Sequence, residues 1–353
     1  MTTFDFDRRR LIAGAASAAL GAVAPASSGL TQTAPRRVSL LLNTSFSGPQ
    51  AWILLADDLG FFRREGIELE MTQGAGAYTA APRVAAGNFD FGYGDINSLA
   101  EVVARAPDRA PVAVFVAFNA SPSAIAVDAN GPVKMPKDLE RRTIIGHDTD
   151  VALKTFGAFC RTNNIDRSRI RTIPGGGMGD MVEQMLGANE IGGVFGYVST
   201  LEASIAAYKP ALARRIRYLR YADYVPDLYG SALFASRRMM GENPDLVRGM
   251  VRAFNAGLAA LMDNKPRGIA SVLRRSGGAR DVEALRLDKT LELEMAHPEG
   301  RRLGIGDVDD GRFSRGLALL AETNDLPRTP SAREVFVRDF LPPLSERVTT
   351  LAR

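Results

Sequence analysis

The chain has 353 residues, of which 46% are hydrophobic and 24% are charged, a balance typical of folded globular proteins. Its formal net charge is +4, yet basic and acidic residues are interspersed and no run of lysine and arginine exceeds three residues. This pattern argues against a nucleic-acid-binding surface. The length is sufficient for two domains.

Residues 1–26 have the three parts of an export signal. Three arginines at 8–10 precede an apolar, Ala- and Gly-rich stretch that ends in small residues at 22–26. Paired arginines are typical of the Tat route, although Asp7 stands where a serine or threonine is usual. The stretch is too short and too weakly apolar to span a bilayer. We expect a cleaved signal peptide, export through the Tat or Sec machinery and a periplasmic protein; the alternative is a disordered basic tail.

The single cysteine limits the chemistry of the chain. Cys160 cannot form an internal disulfide, and its neighbours Phe156 and Phe159 indicate a buried structural thiol. No cysteine lies at the end of the export signal. We therefore expect no lipid anchor.

From residue 38 onward the sequence alternates short apolar runs with amphipathic stretches, which is the α/β pattern. Asn243 and Pro244 then open a long helix, as a capping residue and a first-turn proline. The sequence predicts two α/β lobes and a helical C-terminal section packed on the first. The predicted strands are 38–42, 67–72, 89–93, 112–118, 124–127, 143–146, 170–173, 193–197 and 216–219, and the predicted helices of the two lobes are 49–64, 78–86, one that opens at 94–97, 150–163 and one from 180.

Ligands of open parallel sheets bind beyond the carboxyl ends of the strands, where helix N-termini present free N–H groups. Four loops follow such strand ends and are rich in small polar residues that suit an anion or a heteroaromatic ligand. Three tyrosines near the expected cleft edges and the single tryptophan complete the candidate set. The candidate ligand-binding residues are Asn43, Ser45, Ser47, Trp52, Tyr78, Asp95, Asn97, His147, Thr149, Gly176, Gly177, Tyr197 and Tyr229.

Each candidate has a structural alternative. The serines and Asp95 are also typical helix caps, and residues 147–150 read more readily as a helix start than as an acidic metal site. The glycines at 175–177 lack the Lys-Ser/Thr of a phosphate loop. Trp52 lies on an apolar helix face, which favours a core role over stacking on a ligand. If Asp95 does face the ligand, it favours N–H donors over a bare anion.

Catalytic signatures are missing from the sequence. There is no G-x-S-x-G motif, and His147 and His297 lack metal-ligand spacing. We therefore expect neither an enzyme nor a bound cofactor or metal.

Several segments together resemble one protein family. The passages at 56–67, 89–95, 243–247, 304–310 and 340–343 are similar, in order and spacing, to periplasmic substrate-binding proteins of ABC importers, of the nitrate/sulfonate/taurine and thiamine-pyrimidine-precursor type. The resemblance implies a type II periplasmic binding protein fold, with two lobes that each hold a mainly parallel sheet. Lobe one would comprise 36–120 and 232–353 and lobe two 121–231, with crossovers near 119–123 and 229–233 and the ligand in the cleft.

The resemblance also implies a function. A monomer would close its hinge around a small polar or aromatic solute, of sulfonate, nitrate or pyrimidine type, and deliver it to a membrane permease with a cytoplasmic ATPase. One alternative is an enzyme of similar fold, such as a thiamine pyrimidine-precursor synthase, but those carry a cysteine-rich iron-binding segment and this chain has Cys160 alone. The other is a ligand-sensing domain, which would need a DNA-binding or transmembrane module.

Overall fold

The computed structural model describes residues 34–188 and 190–351. The predicted signal peptide lies outside these residues, so its cleavage and export route stay predictions. Within the described ranges, no helix combines the length and the apolar character that a bilayer crossing requires.

Ten strands form two separate five-stranded sheets. The strands in chain order are β1 (Arg36–Leu41), β2 (Ile67–Thr72), β3 (Phe91–Asp95), β4 (Val112–Val116), β5 (Ser123–Asp128), β6 (Thr143–Gly146), β7 (Arg171–Pro174), β8 (Ile191–Tyr197), β9 (Ile216–Arg220) and β10 (Ser231–Ala235).

The lobes are defined by these sheets. Lobe one holds the order β2-β1-β3-β10-β4, and lobe two holds β7-β6-β8-β5-β9. In each sheet four strands point the same way and one is reversed: β10 runs antiparallel to β3 and β4, and β5 runs antiparallel to β8 and β9. Each reversed strand is the first one after the chain crosses from the other lobe. The predicted fold, two lobes with mainly parallel sheets flanked by helices, is confirmed.

Helices cover both faces of each sheet. They are α1 (Ala51–Asp58), α2 (Phe61–Arg64), α3 (Ala80–Ala85), α4 (Ile96–Arg105), α5 (Val151–Lys154), α6 (Phe156–Thr162), α7 (Met178–Gly187), α8 (Val198–Tyr208), α9 (Tyr221–Tyr224), α10 (Arg237–Glu242), α11 (Pro244–Asp263), α12 (Lys265–Ser276), α13 (Arg280–Thr290), α14 (Pro298–Leu303), α15 (Asp310–Thr323) and α16 (Ala332–Val335), with a π-helical turn at Leu291–Met295 and short 3-10 turns at Gly48–Gln50, Ala77–Thr79, Pro136–Leu139, Arg167–Arg169, Pro210–Arg215, Arg338–Phe340 and Leu344–Glu346.

The core of lobe one forms where α1 and α11 cross the sheet. Trp52 is fully buried, and its ring meets that of Phe254 edge-on with centroids 4.9 Å apart. Tyr93 of β3 packs against Trp52 in the same way at 5.9 Å. Edge-to-face pairs of this kind contribute about 1 kcal/mol each beyond the area that they bury.

Two predicted helices are interrupted. The helix predicted at 49–64 is a 3-10 turn followed by α1 and α2, because Gly60 takes a left-handed conformation with φ 70°. The helix predicted at 150–163 breaks at Thr155, whose hydroxyl donates to the Val151 carbonyl at 2.7 Å. Strand β3 extends to Asp95, two residues beyond the predicted end.

The C-terminal section contacts both lobes. Leu320 of α15 lies in the lobe-two core beside Phe156, and Glu322 pairs with Arg161 at 2.6 Å. These contacts cross the predicted boundary, which assigned the whole of 232–353 to lobe one.

Candidate functional site

A cavity of about 250 Å³ lies between the two lobes. On the lobe-one side it is bounded by the loop after β1 and by Phe118, just beyond β4. On the lobe-two side it is bounded by the end of β8 and the first turn of α8. The lining residues are Asn43, Thr44, Ser45, Ser47, Pro49, Gln50, Phe118, Tyr197, Ser199, Thr200, Arg286 and Glu294.

A buried hydrogen-bond chain fixes the loop after β1. The Gln50 side-chain amide donates to Asn43 Oδ1 at 2.7 Å, and the Ser47 hydroxyl donates to Gln50 Oε1 at 2.7 Å. All three residues are buried. Ser47 occupies the cap position of the following 3-10 turn but makes no side-chain capping bond. The loop is therefore held in place before any ligand arrives.

Helix α13 closes the cavity from the C-terminal section. The Gly48 N–H donates to Glu283 Oε2 at 2.7 Å, and a Cβ on Gly48 would lie 2.1 Å from the Glu283 carbonyl oxygen. Only glycine allows this approach. One turn further along α13, Arg286 pairs with Glu283 Oε1 at 3.1 Å and lines the cavity. Lys289 reaches lobe two and pairs with Glu202 at 3.1 Å.

The π-helical turn after α13 places a carboxylate at the cavity. Glu294 is fully buried, and its Oε1 accepts from the Ser199 backbone N–H at 3.2 Å. Its Oε2 lies beside the Thr290 hydroxyl, and the described residues show no other donor for this oxygen. Burial raises the pKa of Glu294 from 4.5 to about 7, and the neighbouring Ser199 and Thr290 moderate the rise.

Tyr197 joins this cavity to a second one. Its hydroxyl is buried, and burial raises its pKa well above 10. The second cavity has a volume of about 310 Å³ and shares Thr44, Tyr197 and Thr200 with the first. Its remaining lining residues are Gly76, Ala77, His147, Thr149, Asp150, Val151, Met178 and Gly196.

The structure thus brings six of the predicted site residues to one interlobe cleft. Asn43, Ser45, Ser47 and Tyr197 line the first cavity, and His147, Thr149 and again Tyr197 line the second. His147 and Thr149 are exposed at its mouth, where a Cβ on Gly76 would approach Thr149 Oγ1 to 3.2 Å.

Asp95 and Asn97 do not line either cavity. Asp95 is the N-cap of α4: its Oδ1 accepts from the N–H groups of Asn97 and Ser98 at 3.0 and 3.2 Å. Burial raises the pKa of Asp95 to about 7, and these N–H donors oppose the rise. The Asn97 amide donates to the Tyr229 carbonyl at 2.9 Å. Both residues therefore connect the end of β3 to the second crossover.

Tyr229 anchors the crossovers rather than the cleft wall. Its hydroxyl donates to Glu299 Oε1 at 2.7 Å, and the Asn119 amide, from the first crossover, donates to the same oxygen at 3.3 Å. Arg312 pairs with Glu299 at 3.0 Å and lies 4.0 Å from the centre of the Tyr229 ring. One buried carboxylate thus holds both interlobe connections.

The other four candidates also lie away from the cleft cavities. Trp52 belongs to the lobe-one core, as its helix spacing favoured. Tyr78 lines a separate depression on lobe one with Glu101 and Arg105. Gly176 and Gly177 are exposed and line neither cavity. The glycine of this segment that has no room for a side chain is Gly175, where a Cβ would lie 2.0 Å from Met181 Sδ.

Sequence reasoning missed the residues that line the first cavity from distant parts of the chain. Gln50 lies inside a predicted helix, and Phe118 ends an apolar run. Ser199 follows strand β8, at whose end Tyr197 was the one predicted ligand-binding residue. Arg286 and Glu294 lie about 90 residues beyond lobe-two strand β8, in a section without any motif. A π-helical turn is a recurrent marker of functional sites, but it has no readable sequence signal here.

Cys160 is remote from this cleft. It lies in the lobe-two core beside Phe159, and burial raises the pKa of its thiol to about 12. Among the described residues, no group of three or more histidine, cysteine or acidic side chains is placed to hold a metal ion.

Solved structures share this fold over nearly the whole described chain. The periplasmic aliphatic sulphonate binding protein SsuA from Escherichia coli aligns with a TM-score of 0.64 at 17% identity, over 86% of this chain and 98% of its own. The alkanesulfonate-binding protein SsuA from Xanthomonas axonopodis pv. citri, bound to MOPS, aligns with a TM-score of 0.63 at 14% identity, over 86% and 99%. The desulfurization enzyme DSZB also aligns, with a TM-score of 0.56 at 14% identity, over 86% and 97%.

The sequence comparisons place the chain in a family. No curated protein sequence matches it. The family model described as NMT1/THI5 like matches residues 49–267, which is more than half of the chain and includes the strands from β2 to β10 and the whole of α11. The family resemblance read from the sequence motifs is thereby confirmed, and the chain belongs to the NMT1/THI5-like family.

Proposed function

We propose that this protein is an extracytoplasmic solute-binding protein that delivers a small polar or aromatic solute to an ABC import permease. The observation that carries the proposal is the cavity lined from both lobes. A solute held by Gln50 and Asn43 on one side and by Ser199 and Thr200 on the other stabilises the closed arrangement over the open one. Such differential stabilisation is what hinge closure around a ligand requires.

The solute that we infer is of sulfonate, nitrate or pyrimidine type. Arg286 supplies a positive charge for an anionic group, and Phe118 and Tyr197 supply aromatic surface for a ring. Amide and hydroxyl groups from Asn43 to Gln50 supply directed hydrogen bonds. The fold is shared with two sulfonate-binding proteins, which supports the sulfonate member of this group.

The export signal supports delivery outside the cytoplasm. With residues 1–26 removed by the Tat or Sec machinery, the remaining chain would act as a free monomer in the periplasm. Its partners would be the permease and the ATPase attached to it.

An enzymatic function is the second candidate, because DSZB shares the fold. The thiol that this chain could offer as a nucleophile, Cys160, is buried in the lobe-two core and outside both cleft cavities. A pyrimidine-precursor synthase of similar fold would need the cysteine-rich segment that the sequence lacks. The lining of the cleft therefore favours binding over turnover.

The test is calorimetric titration of the chain from residue 27 with nitrate, alkanesulfonates, arylsulfonates and pyrimidines. We expect saturable binding of at least one solute with Kd near 1 µM, about −8 kcal/mol, and a fall in the radius of gyration by small-angle X-ray scattering.

Thr200→Val, at a residue that lines both cavities, should weaken binding about tenfold. The matched control Thr329→Val, at an exposed residue outside both cavities, should leave the affinity unchanged. Turnover of a solute without saturable binding would contradict the receptor function.

A further inference from the structure

We propose that the two lobes separate at one edge, where Gly76 of lobe one meets Thr149 of lobe two, and that solute enters through the second cavity behind that edge. Helix α15 stays bound to both lobes during this motion. This inference rests on the proposed function, since it says where a protein that closes around a solute opens.

The crossovers lie at one end of both sheets. The chain leaves lobe one from β4 and returns to it through β10, and these two strands stand last in the order β2-β1-β3-β10-β4. The strands of lobe two that they connect to, β5 and β9, stand last in the order β7-β6-β8-β5-β9. Gly76 follows β2 and Thr149 follows β6, toward the opposite end of each sheet. A rotation about the crossovers therefore moves these two loops much further than the ends of β4 and β5.

Helix α15 lies along the boundary between the lobes and packs on both. Phe313 and Leu317 belong to a lobe-one core cluster that includes Leu99 of α4. Leu320 belongs to the lobe-two core cluster together with Phe156 of α6. Separating α15 from either lobe would expose buried apolar side chains to water.

Polar contacts also fix the first turns of α15 to lobe two. Arg312 is buried and donates from Nε to the Pro226 carbonyl at 2.7 Å and from Nη2 to the Leu228 carbonyl at 3.1 Å. A Cβ on Gly316 would lie 2.5 Å from the Asp227 carbonyl oxygen, so the helix and the lobe-two chain are in close backbone contact. Hydrogen bonds from a charged donor are strong, and a buried carbonyl left unpaired is costly. Helix α15 therefore stays with the residues that lead into the second crossover.

The last turn of α15 joins both lobes as well. The Asn324 amide donates to Glu101 of α4 and to the Lys154 carbonyl of α5, the latter at 3.2 Å. The Asn324 carbonyl accepts from Arg105 of lobe one at 3.2 Å. The Lys154 ammonium lies 6.0 Å from the centre of the Tyr78 ring across the boundary. The contact between α15 and the two lobes thus extends along the whole helix.

Helices α13 and α8 flank the crossovers on the other side of the sheets. The core of lobe one forms two clusters, and Leu287 of α13 belongs to the one that does not contain α15. The Val198 N–H, at the start of α8, donates to the Pro122 carbonyl at 2.9 Å, and the Ala120 N–H donates to the Glu294 carbonyl at 3.2 Å. The contact of α13 with α8 therefore begins at the first crossover. With both sides of the crossovers occupied, the motion that keeps these contacts is a rotation that separates the far edges.

The far edges are joined much more weakly. A Cβ on Gly76 would lie 3.2 Å from Thr149 Oγ1, so the two loops touch. Within the part of the chain that the structure describes, no hydrogen bond links residues 73–79 to residues 147–151. Separation at this edge therefore breaks fewer polar contacts than separation at α15.

The second cavity lies immediately behind this edge. Gly76 and Thr149 line it, and it shares Tyr197 and Thr200 with the first cavity. Separating the two loops would admit a solute to the second cavity and from there to the first. The second cavity is then the entrance of the binding site.

Two engineered disulfides test this arrangement in the chain from residue 27. The first, Gly76→Cys with Thr149→Cys, joins the far edges, where the two Cβ atoms would lie 3.3 Å apart. The second, Gly157→Cys with Thr323→Cys, joins lobe two to α15, where they would lie 3.1 Å apart. Both separations are just below the range of about 3.5–4.5 Å that disulfides require, so the pairs are matched. Cys160→Ala in every variant removes the native thiol.

Each pair is oxidised without solute, and binding of nitrate, benzenesulfonate and pyrimidine is measured by titration calorimetry before and after reduction. We expect the oxidised Gly76–Thr149 pair to lose binding of every probe that its reduced form binds, and to have a smaller radius of gyration by small-angle X-ray scattering. The oxidised Gly157–Thr323 pair should match its reduced form in both measurements. Loss of binding in the α15 pair, or unchanged binding in the far-edge pair, overturns the inference.

Spin labels give a second readout that leaves Gly76 in place, because its φ of 121° strains a cysteine. Labels on the exposed sites of Ala75→Cys and Arg171→Cys report across the far edge, and labels on Thr162→Cys and Ser314→Cys report across the α15 contact.

Pulsed electron paramagnetic resonance of the solute-free protein should give a broad distance distribution for the far-edge pair and a narrow one for the α15 pair. Distributions of equal width contradict the inference. If no probe binds the reduced proteins, the proposed function fails, and these distances alone decide where the lobes separate.

Discussion

Glu294 should make the protein less stable as the pH rises through neutrality. Its carboxyl group is fully buried, and burial raises its pKa from 4.5 to about 7. Between these two values the folded chain keeps a proton that the unfolded chain has released. The free energy of unfolding therefore falls with rising pH across this window, by about 1.4 kcal/mol per pH unit.

The full effect of this group is about 3 kcal/mol, reached above pH 7. Glu202, Tyr93 and Tyr197 are the ionisable groups that face Glu294, and their charged forms would add to the cost of ionising it. Asp95 acts in the same direction, since burial raises its pKa from 3.8 to about 7. Both acids favour the folded state at mildly acidic pH.

Glu294→Gln isolates the contribution. The glutamine carbonyl oxygen can still accept from the Ser199 N–H, so the local hydrogen bond is retained. We expect the stability of the variant relative to the wild type to increase by about 2.5 kcal/mol between pH 5 and pH 8. Urea unfolding at pH 5, 6, 7 and 8 measures this, with the fluorescence of the single buried Trp52 as the probe.

The control is Glu292→Gln, which removes an exposed carboxylate from the same turn and should not change the slope. Parallel stability profiles for Glu294→Gln and the wild type from pH 5 to 8 would refute the reasoning.

Four further predictions address other parts of the molecule. Gly48→Ala places a Cβ 2.1 Å from the Glu283 carbonyl oxygen and should lower the free energy of unfolding by about 2 kcal/mol. The control Gly241→Ala, whose Cβ meets open space, should leave the stability unchanged. Thermal melts in which Gly48→Ala is as stable as Gly241→Ala would contradict the close approach of α13 to Gly48. Arg312→Met leaves the Glu299 carboxylate buried without its ion pair and should cost roughly 3 kcal/mol in urea unfolding, while Arg315→Met, at an exposed ion pair, should have a small effect. Cys160 should react with a thiol reagent at pH 8 only after urea unfolds the chain, because burial raises the pKa of its thiol to about 12; rapid labelling of the native protein would be inconsistent with this burial. Replacing both Arg8 and Arg9 by lysine should block export if the Tat route is obligatory, and unchanged processing by immunoblot would point to the Sec route.

The features that the sequence predicted well are those encoded within a few residues. Nine strands were predicted close to their observed bounds, most from apolar runs, since a strand buried on both faces must be apolar throughout, and β2 from its alternation of apolar and polar residues. Asp95 was recognised as a potential cap, and it accepts from two N–H groups at the start of α4. The order of the family motifs then sufficed to identify the two-lobed architecture.

The composition of the cleft depended on contacts that local patterns do not encode. Arg286 and Glu294 reach the cavity because α13 packs against both Gly48 and α8, which is a property of the assembled fold. Asp95 follows a strand and Tyr229 lies at a crossover, where ligand-binding residues are often found. In this protein the Asp95 carboxylate accepts from the Asn97 N–H and the Tyr229 hydroxyl donates to Glu299, so both side chains already have partners within the protein. The rule that ligands bind beyond the carboxyl ends of strands identifies the loops of a binding site. It does not show which side chains of those loops already form hydrogen bonds within the protein.

The reversed strand β10 has a consequence for the order in which the chain folds. It lies between β3 and β4, which do not pair with one another, so the lobe-one sheet lacks its continuity until residues 231–235 are available. The lobe-two sheet is built from strands that are contiguous in sequence between residues 123 and 220. Loop closure within that shorter stretch is entropically cheaper than pairing β10 with β3 across more than a hundred residues. A chain that emerges N-terminus first should therefore complete its second lobe before its first, and fragments that end before residue 231 should expose an unfinished sheet edge that is open to aggregation.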